Sequence, residues 1–280
     1  MPLRLTKTEV IERTALLPAF PRVIRGVLDS LDDENASTSG LVHLLQQDPV
    51  IAGRVIALAS SAAVSMRPGA AVHGLAGATS MIGLAKVREI VLNVGVAEFA
   101  RDSQMSSCFW EHSAAVGVAA QELARNSHLS LDYALIAGLL HDIGQLWIAR
   151  FYPLEFKAVH ELVAAGEISI IKAEQSYFGA DHCWIGSVIA EHWGLPAAVV
   201  AAINFHHQPE EGLSETLVSV VHVAEVLSNA LDLTQRRDNQ VAYLSAPACE
   251  VLGLDWDSDM NFLFAKIEAR TEHACAVFRH

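Results

Sequence analysis

A chain of 280 residues is long enough to bury a sizeable core in one large or two smaller domains. With 52% apolar and 18% charged residues it is globular in composition; no apolar run reaches the roughly 18 residues of a membrane span, and the opening "MPLRLTKTEVIERT" has no signal-peptide core. The net charge of −13 arises wholly after residue 104: residues 1–104 hold ten Lys/Arg and ten Asp/Glu, residues 105–280 nine and twenty-two, so no basic face for gripping nucleic acid is expected.

The periodicity is helical along the chain. "SGLVHLLQQ", "PVIAGRVIALAS", "AKVREIVLNVGVAEFA" and "SAAVGVAAQELARN" carry apolar residues three and four apart, as amphipathic helices do. Asp48-Pro49 reads as a cap followed by a first helical position. Ser60 and Ser61 read as a helix end. The polar stretch "RDSQMSS" (101–107) coincides with the change in charge and marks a boundary. "GLLHDIGQL" (138–146) reads as buried helix with a His-Asp pair at its centre. In Trp193-Gly194-Leu195-Pro196 the glycine suits a helix C-terminus and the proline the start of the next helix. "TQRRDNQ" (234–240) opens a less regular region, and "MNFLFAKIEARTEHACAVF" predicts a last helix that docks on the body or forms a subunit contact. The expected fold is all-α, with two packed helical subdomains. Its parts are an N-terminal extension at 1–16, a helical subdomain at 17–104, a histidine-rich helical subdomain at 105–232, and a C-terminal extension with the last helix at 233–280.

Cys108, Cys183, Cys249 and Cys275 form no CxxC pair and no disulfide-like spacing, so a reduced, cytoplasmic setting is expected. Nine of the thirteen histidines fall between residues 106 and 225. Histidine is the commonest transition-metal ligand, and hard divalent ions add carboxylates. Neighbouring helical residues point about 100° apart, so His141 and Asp142 can flank an ion only if other helices supply more ligands. Candidates are His112, His182, His206, His207 and Glu225. Each has an ordinary alternative. His141-Asp142 can form a buried polar cluster without metal, partnered by His112 or His207. His206 and His207 can interact with a helix C-terminal dipole. His182 can simply follow the natural N-cap Asp181. His222 lies one turn before Glu225 and can share its face; His160 and His192 are given no role. Trp110, Trp147, Trp184 and Trp193 are expected in the core around the polar centre.

"FWEH", then "AGLLHDIG" with its histidine 29 residues after that of "FWEH", then a late carboxylate, resembles the pattern of the HD superfamily of metal-dependent phosphohydrolases. "LLPAFPRVIRGVLD", "LLQQDPVIAGRVIALASSAAV", "VHGLAGATSMIGLAKVREIVL" and "ADHCWIGSVIAEHWGLPAAVVAAINFHHQP" narrow the resemblance to HDOD domains of bacterial signalling proteins, over roughly residues 16 to 230. The resemblance implies an HD-like bundle for the second subdomain, with His112, His141 and Asp142 matching the superfamily's first metal ligands. His182, His206 and His207 match additional ligands of HD-GYP phosphodiesterases. Glu225 stands where a final aspartate is expected. Gln145 replaces the HD-GYP lysine, and "HHQPEEG" replaces a Gly-Tyr-Pro segment.

HDOD domains are regarded as degenerate HD domains that contact other signalling proteins. The resemblance therefore implies a non-catalytic bacterial signal-transduction module whose partners are kinases, receivers or cyclic-dinucleotide proteins, with no nucleic acid, no membrane, and self-association left open. The alternative is a phosphohydrolase acting on a nucleotide or cyclic dinucleotide by Lewis-acid activation. In that case His112, His141, Asp142 and Glu225 would hold one iron, manganese or zinc ion, and His182, His206 and His207 a second. Asp142 would bridge them and be the catalytically indispensable residue.

Overall fold

The computed structural model describes residues 3–31, 38–46, 49–66, 74–103, 105–125, 127–166, 168–234, 243–256 and 260–278. In chain order the helices are α1 (Lys7–Thr14), α2 (Arg22–Asp29), α3 (Thr38–Gln46), α4 (Pro49–Met66), α5 (Gly74–Ile82) and α6 (Leu84–Ser103). They continue as α7 (Ser107–Ala124), α8 (Leu131–Leu140), α9 (Ile143–Phe151), α10 (Pro153–Ala164), α11 (Ile170–Phe178), α12 (His182–His192) and α13 (Ala197–Phe205). A short 3₁₀ turn (Pro209–Glu211) precedes α14 (Thr216–Ala230), α15 (Ala246–Val251) and α16 (Asn261–Cys275). The fold is all-α: no strand occurs among the described residues. No described helix is long and apolar enough to cross a membrane. The expected cap at Asp48 and most of "TQRRDNQ" lie outside the described residues.

The chain divides into two compact units, one of residues 19–102 and one of residues 1–18 with 103–279. In the first unit α3 packs on α2, α4 and α5. Between Ile90 and Ala97 every residue of α6 is buried, so this stretch is not two-faced as its pattern suggests but a helix buried all round. Close approach is built in: a Cβ on Gly95 would sit 2.7 Å from Ile24 Cγ1.

In the second unit α7 is central, packing on α8, α14 and α16. Its Gly117 meets Gly138 of α8 so closely that a Cβ on Gly138 would lie 2.6 Å from Gly117 Cα. The N-terminal segment belongs to this unit. Leu5 N–H donates to Phe178 O (2.9 Å), Lys7 pairs with Glu191 (2.7 Å), and α1 packs on α12. Gly194, at φ +71°, ends α12 in the left-handed region, as the Trp-Gly-Leu-Pro signal implies. Trp110, Trp147 and Trp193 are buried, but Trp184 is only half-buried. The ring neighbours of Trp147 are Phe151 and Tyr152, at 5.1 and 5.8 Å between centroids.

The last helix docks on the body. Glu122 of α7, with a fully covered side chain, pairs with Lys266 (2.8 Å) and Arg270 of α16 and with Arg125 (2.9 Å). Burial would raise the Glu122 pKa, but hydrogen bonds from Lys266, Arg125 and Arg270 override it and hold the carboxyl below its ordinary value. Because the folded pKa is depressed, this contribution is complete above the unfolded carboxylate value near ~4.3 and fades as pH falls through the folded one. Glu122→Gln should therefore cost about 2 kcal/mol at neutral pH, less than a fully buried pair because its cations are partly solvated. In urea melts of wild type and variant, the gap should hold from about pH 7 to 5 and shrink below about pH 4; a gap independent of pH would refute the clamp.

Candidate metal centre

The His-Asp pair does not lie inside one helix. α8 ends at Leu140 and α9 begins at Ile143, so His141 and Asp142 form the turn between them. Asp142 sits at φ −96° and ψ 14°, in the sparsely populated bridge region where many site residues are found. Gln145 N–H donates to Asp142 O (2.8 Å) to close the turn, and Gln145 Nε2 donates to Asp142 Oδ1 (3.1 Å).

What holds this turn beside α12 is a contact between backbones. A Cβ on Gly144 would sit 2.0 Å from His182 O, and one on Gly186 would lie 3.3 Å from Gly144 N. With glycine at both positions, α9 and α12 touch, and His182, the first residue of α12, comes to Asp142: His182 Nε2 is 3.3 Å from Asp142 Oδ1. Asp181 caps α12 by accepting from Trp184 N–H (2.9 Å), and the helix start thereby fixes where His182 emerges.

Three histidines are oriented in the same way. The Nδ1 of His141 is 2.8 Å from Gly138 O, that of His182 is 2.7 Å from Glu174 Oε2, and that of His206 is 2.8 Å from Ile203 O. Each acceptor fixes the proton on Nδ1 and turns Nε2 inward, as outer partners of metal-bound histidines do. Asp142 receives them: His141 Nε2 lies 3.4 Å from Oδ2, and His206 Nε2 lies 3.8 Å from Oδ1. The ring of His112 is 5.3 Å from that of His141. His207 Nε2 is 3.8 Å from Glu225 Oε1.

The seven candidate ligands thus fall into overlapping donor groups that share His141 and His206. His112, His141 and Asp142 form one donor group, and His141, His206 and Glu225 a second. His182, Cys183, His206 and His207 form a third, and within each group the donor atoms lie within 4.8 Å of one another.

The electrostatics follow from burial and charge. Burial opposes a charge on His141, yet the Asp142 carboxylate outweighs it and raises the pKa. His182 is raised well above the ordinary value against its burial. Cys183 ranks next among the influences on it, but burial pushes that thiol up to about 12. It is therefore neutral at pH 7, and the Glu174 carboxylate holds the imidazolium. Burial raises the cost of ionising Asp142, and the surrounding histidines, His141 first, reverse this and hold it well below the usual range. His206 is held down by burial and by its histidine neighbours, so it is a neutral imidazole and not the partly positive helix-end residue its position suggests. Without metal, Asp142 and Glu174 favour a proton on His141 and on His182 respectively. A divalent cation fits the same donors. His141 Nε2 is buried without a hydrogen bond, and the inward Nε2 atoms and carboxylates are the right chemistry for iron, manganese or zinc.

One residue of this centre was not legible in the sequence, and another takes a different part from the one its spacing suggests. Glu174 is an acidic residue of an ordinary-looking helix, yet it is buried and accepts from both His182 N–H (2.8 Å) and the His182 ring. His222 is not a donor to the centre. Its Nδ1 bonds His206 O (2.7 Å) and its Nε2 accepts from Ser245 N–H (3.1 Å), so it holds the backbone of His206 in place. No spacing rule connects Glu174 to the site, and the one-turn spacing of His222 from Glu225 does not foretell its bond to the His206 backbone.

Comparison with known proteins decides the family. A model of the HDOD domain matches residues 17–209. The chain belongs to the HDOD family. Three solved structures share its fold. An HDOD domain protein from Geobacter sulfurreducens superposes with a TM-score of 0.76 at 23% identity, covering 96% of this chain and 98% of that one. A Shewanella amazonensis SB2B protein whose name proposes a phosphohydrolase gives 0.74 at 23%, covering 96% and 97%. A Marinobacter aquaeolei VT8 protein whose name proposes a role in signal transduction gives 0.74 at 22%, covering 99% and 63%. At these identities the likeness is one of fold. A curated relative in Treponema pallidum is 25% identical over 233 residues, 80% of this chain, and this HDOD chain spans 44% of that protein's length.

Proposed function

We propose that this HDOD protein is a bacterial signal-transduction module that acts by binding other signalling proteins, with its histidine centre serving structure and not turnover. The closure of that centre carries the reading: His141, His182 and His206 are 0% exposed, His112 1% and Asp142 2%. An ion held by His112, His141, Asp142, His182, His206, His207 and Glu225 would supply Lewis-acid activation to a phosphoryl oxygen only if that oxygen could come within roughly 2 Å of it. The packed helices stand in the way. Gln145, where the HD-GYP pattern has a lysine, spends its amide on Asp142 and offers no positive charge to a phosphate. The name of the Marinobacter protein points the same way.

The phosphohydrolase reading draws on a specific observation of its own. The side chains of His207 and Glu225 keep 18% and 13% exposure, so these two candidate ligands are not wholly closed off from solvent.

Turnover separates the two readings. Protein loaded with Mn²⁺ or anaerobically with Fe²⁺ is expected to hydrolyse bis-p-nitrophenyl phosphate and cyclic dinucleotides no faster than its Asp142→Asn variant. The same variant, verified as folded, is expected to restore the phenotype of a deletion strain. A hydrolysis rate that disappears in Asp142→Asn would overturn the interaction reading.

A further inference from the structure

One chemical feature of the centre lies outside the histidine–carboxylate pattern. Cys183 is buried, and its Sγ lies 3.6 Å from His182 Nε2 and 3.9 Å from His206 Nε2, while those two nitrogens are 3.4 Å apart. His182 and His206 have their Nδ1 atoms committed to Glu174 and to Ile203 O. The two Nε2 atoms therefore face the thiol and each other, that of His206 with its lone pair free and that of His182 free once its proton leaves. Ligands at about 2.0–2.1 Å for nitrogen and 2.3 Å for sulfur around one tetrahedral zinc ion stand about 3.4 Å apart for two nitrogens and about 3.6 Å apart for nitrogen and sulfur. Two of the three separations match those spacings, and the third needs a shift of about 0.3 Å. His207 completes four donors within 4.8 Å of one another.

We propose that His182, Cys183, His206 and His207 form a closed Cys-His₃ site for a tetrahedral, thiol-preferring divalent cation, Zn²⁺ above the harder iron or manganese. On binding, the Cys183 thiol and the Nε2–H of the His182 imidazolium each release a proton to solvent, and the thiolate and the freed Nε2 become ligands; no electron is transferred. The choice of ion follows from softness. Thiolate favours zinc, whereas a set of oxygen and nitrogen donors alone also suits iron and manganese. Four protein ligands leave no open position, which is the arrangement of structural and not catalytic zinc. The other two donor groups, His112–His141–Asp142 and His141–His206–Glu225, contain no sulfur, so the thiol distinguishes which part of the centre an ion occupies.

Cobalt reports this directly, because Co²⁺ substitutes for Zn²⁺ and reveals its ligands by absorption. The full-length protein, stripped with a chelator, is titrated with Co²⁺ alone. It should develop a near-ultraviolet sulfur-to-cobalt charge-transfer band and the intense visible bands of tetrahedral geometry. Both should saturate at one equivalent and bleach when Zn²⁺ is added. Cys183→Ser should lose the charge-transfer band, and its Zn²⁺ affinity against a chromophoric chelator should fall by on the order of 100-fold. Cys183→Ala serves as a second variant, and both are compared with wild type by metal-free melting so that misfolding is recognised. Weak octahedral spectra without the band, a band that survives in Cys183→Ala, or no binding of either ion would overturn the proposal. The interaction reading makes no statement about sulfur, so its failure would appear in the turnover assay and this one in the cobalt spectrum.

Discussion

Gly144→Ala should destabilise the protein by about 4 kcal/mol, lowering the melting temperature by about 10 °C, because this position has no room for a single methyl group. Its Cβ would lie 2.0 Å from His182 O, 2.8 Å from His182 C and 2.9 Å from Gly186 N. All three are backbone atoms, so no side chain can rotate aside. Relief requires α9 and α12 to separate by an ångström or more, and that separation carries His182 away from Asp142. The loss is therefore of packing and of the centre together. Gly53 gives the contrast. It is exposed in α4, and a Cβ there meets nothing within 4 Å, so Gly53→Ala should stabilise by up to about 1 kcal/mol through helix propensity alone. Thermal melts of the two variants beside wild type decide the matter. An unchanged melting temperature for Gly144→Ala would mean that the α9–α12 contact is not as described.

Asp142→Ala should cost the metal-free protein about 3–5 kcal/mol, the range for removing one member of a buried ion pair. One carboxylate serves three histidines, with its oxygens 3.3 Å from His182 Nε2, 3.4 Å from His141 Nε2 and 3.8 Å from His206 Nε2. Without it His141 loses its nearest negative charge inside the core, whereas His182 keeps Glu174 at 2.7 Å. The deletion also strands the Gln145 amide that donates to Oδ1. Asp142→Asn preserves the shape and an acceptor but not the charge, so about half the loss is expected. Guanidinium unfolding at constant slope measures both. A cost below about 1 kcal/mol for Asp142→Ala would show that the cluster does not depend on this carboxylate.

Asp142 and Gly144 are neighbours but one in the chain, yet they differ in what can be read from sequence. Asp142 announces itself, because an acidic residue beside a histidine in an otherwise apolar run requires a partner wherever it is buried. The all-α class was equally legible, since three- and four-residue spacing is a local property of the backbone. His112, His182, His206, His207 and Glu225 were candidates from the clustering of histidines and carboxylates, and the resemblance set them on segments of matching order. Gly144 gave no such notice: a glycine in a helical run reads only as a weak position. The helix break at His141-Asp142 was also concealed, because α8 and α9 are both apolar and the pattern runs through the turn without a change of period.

The sequence by itself determined the class of the fold, the family and the composition of the polar centre, because helical periodicity and motif order are carried by residues near one another in the chain. Only the tertiary structure decided which nitrogen each histidine presents, that Glu174 orients His182, that His222 holds the backbone at His206, and that Cys183 stands among the donors. Apart from the carbonyls three residues back that orient His141 and His206, these relations join residues 8 to 24 positions apart. They depend on how closely α9 approaches α12 and where α13 ends, and those distances are set by packing against neighbours that no local pattern names.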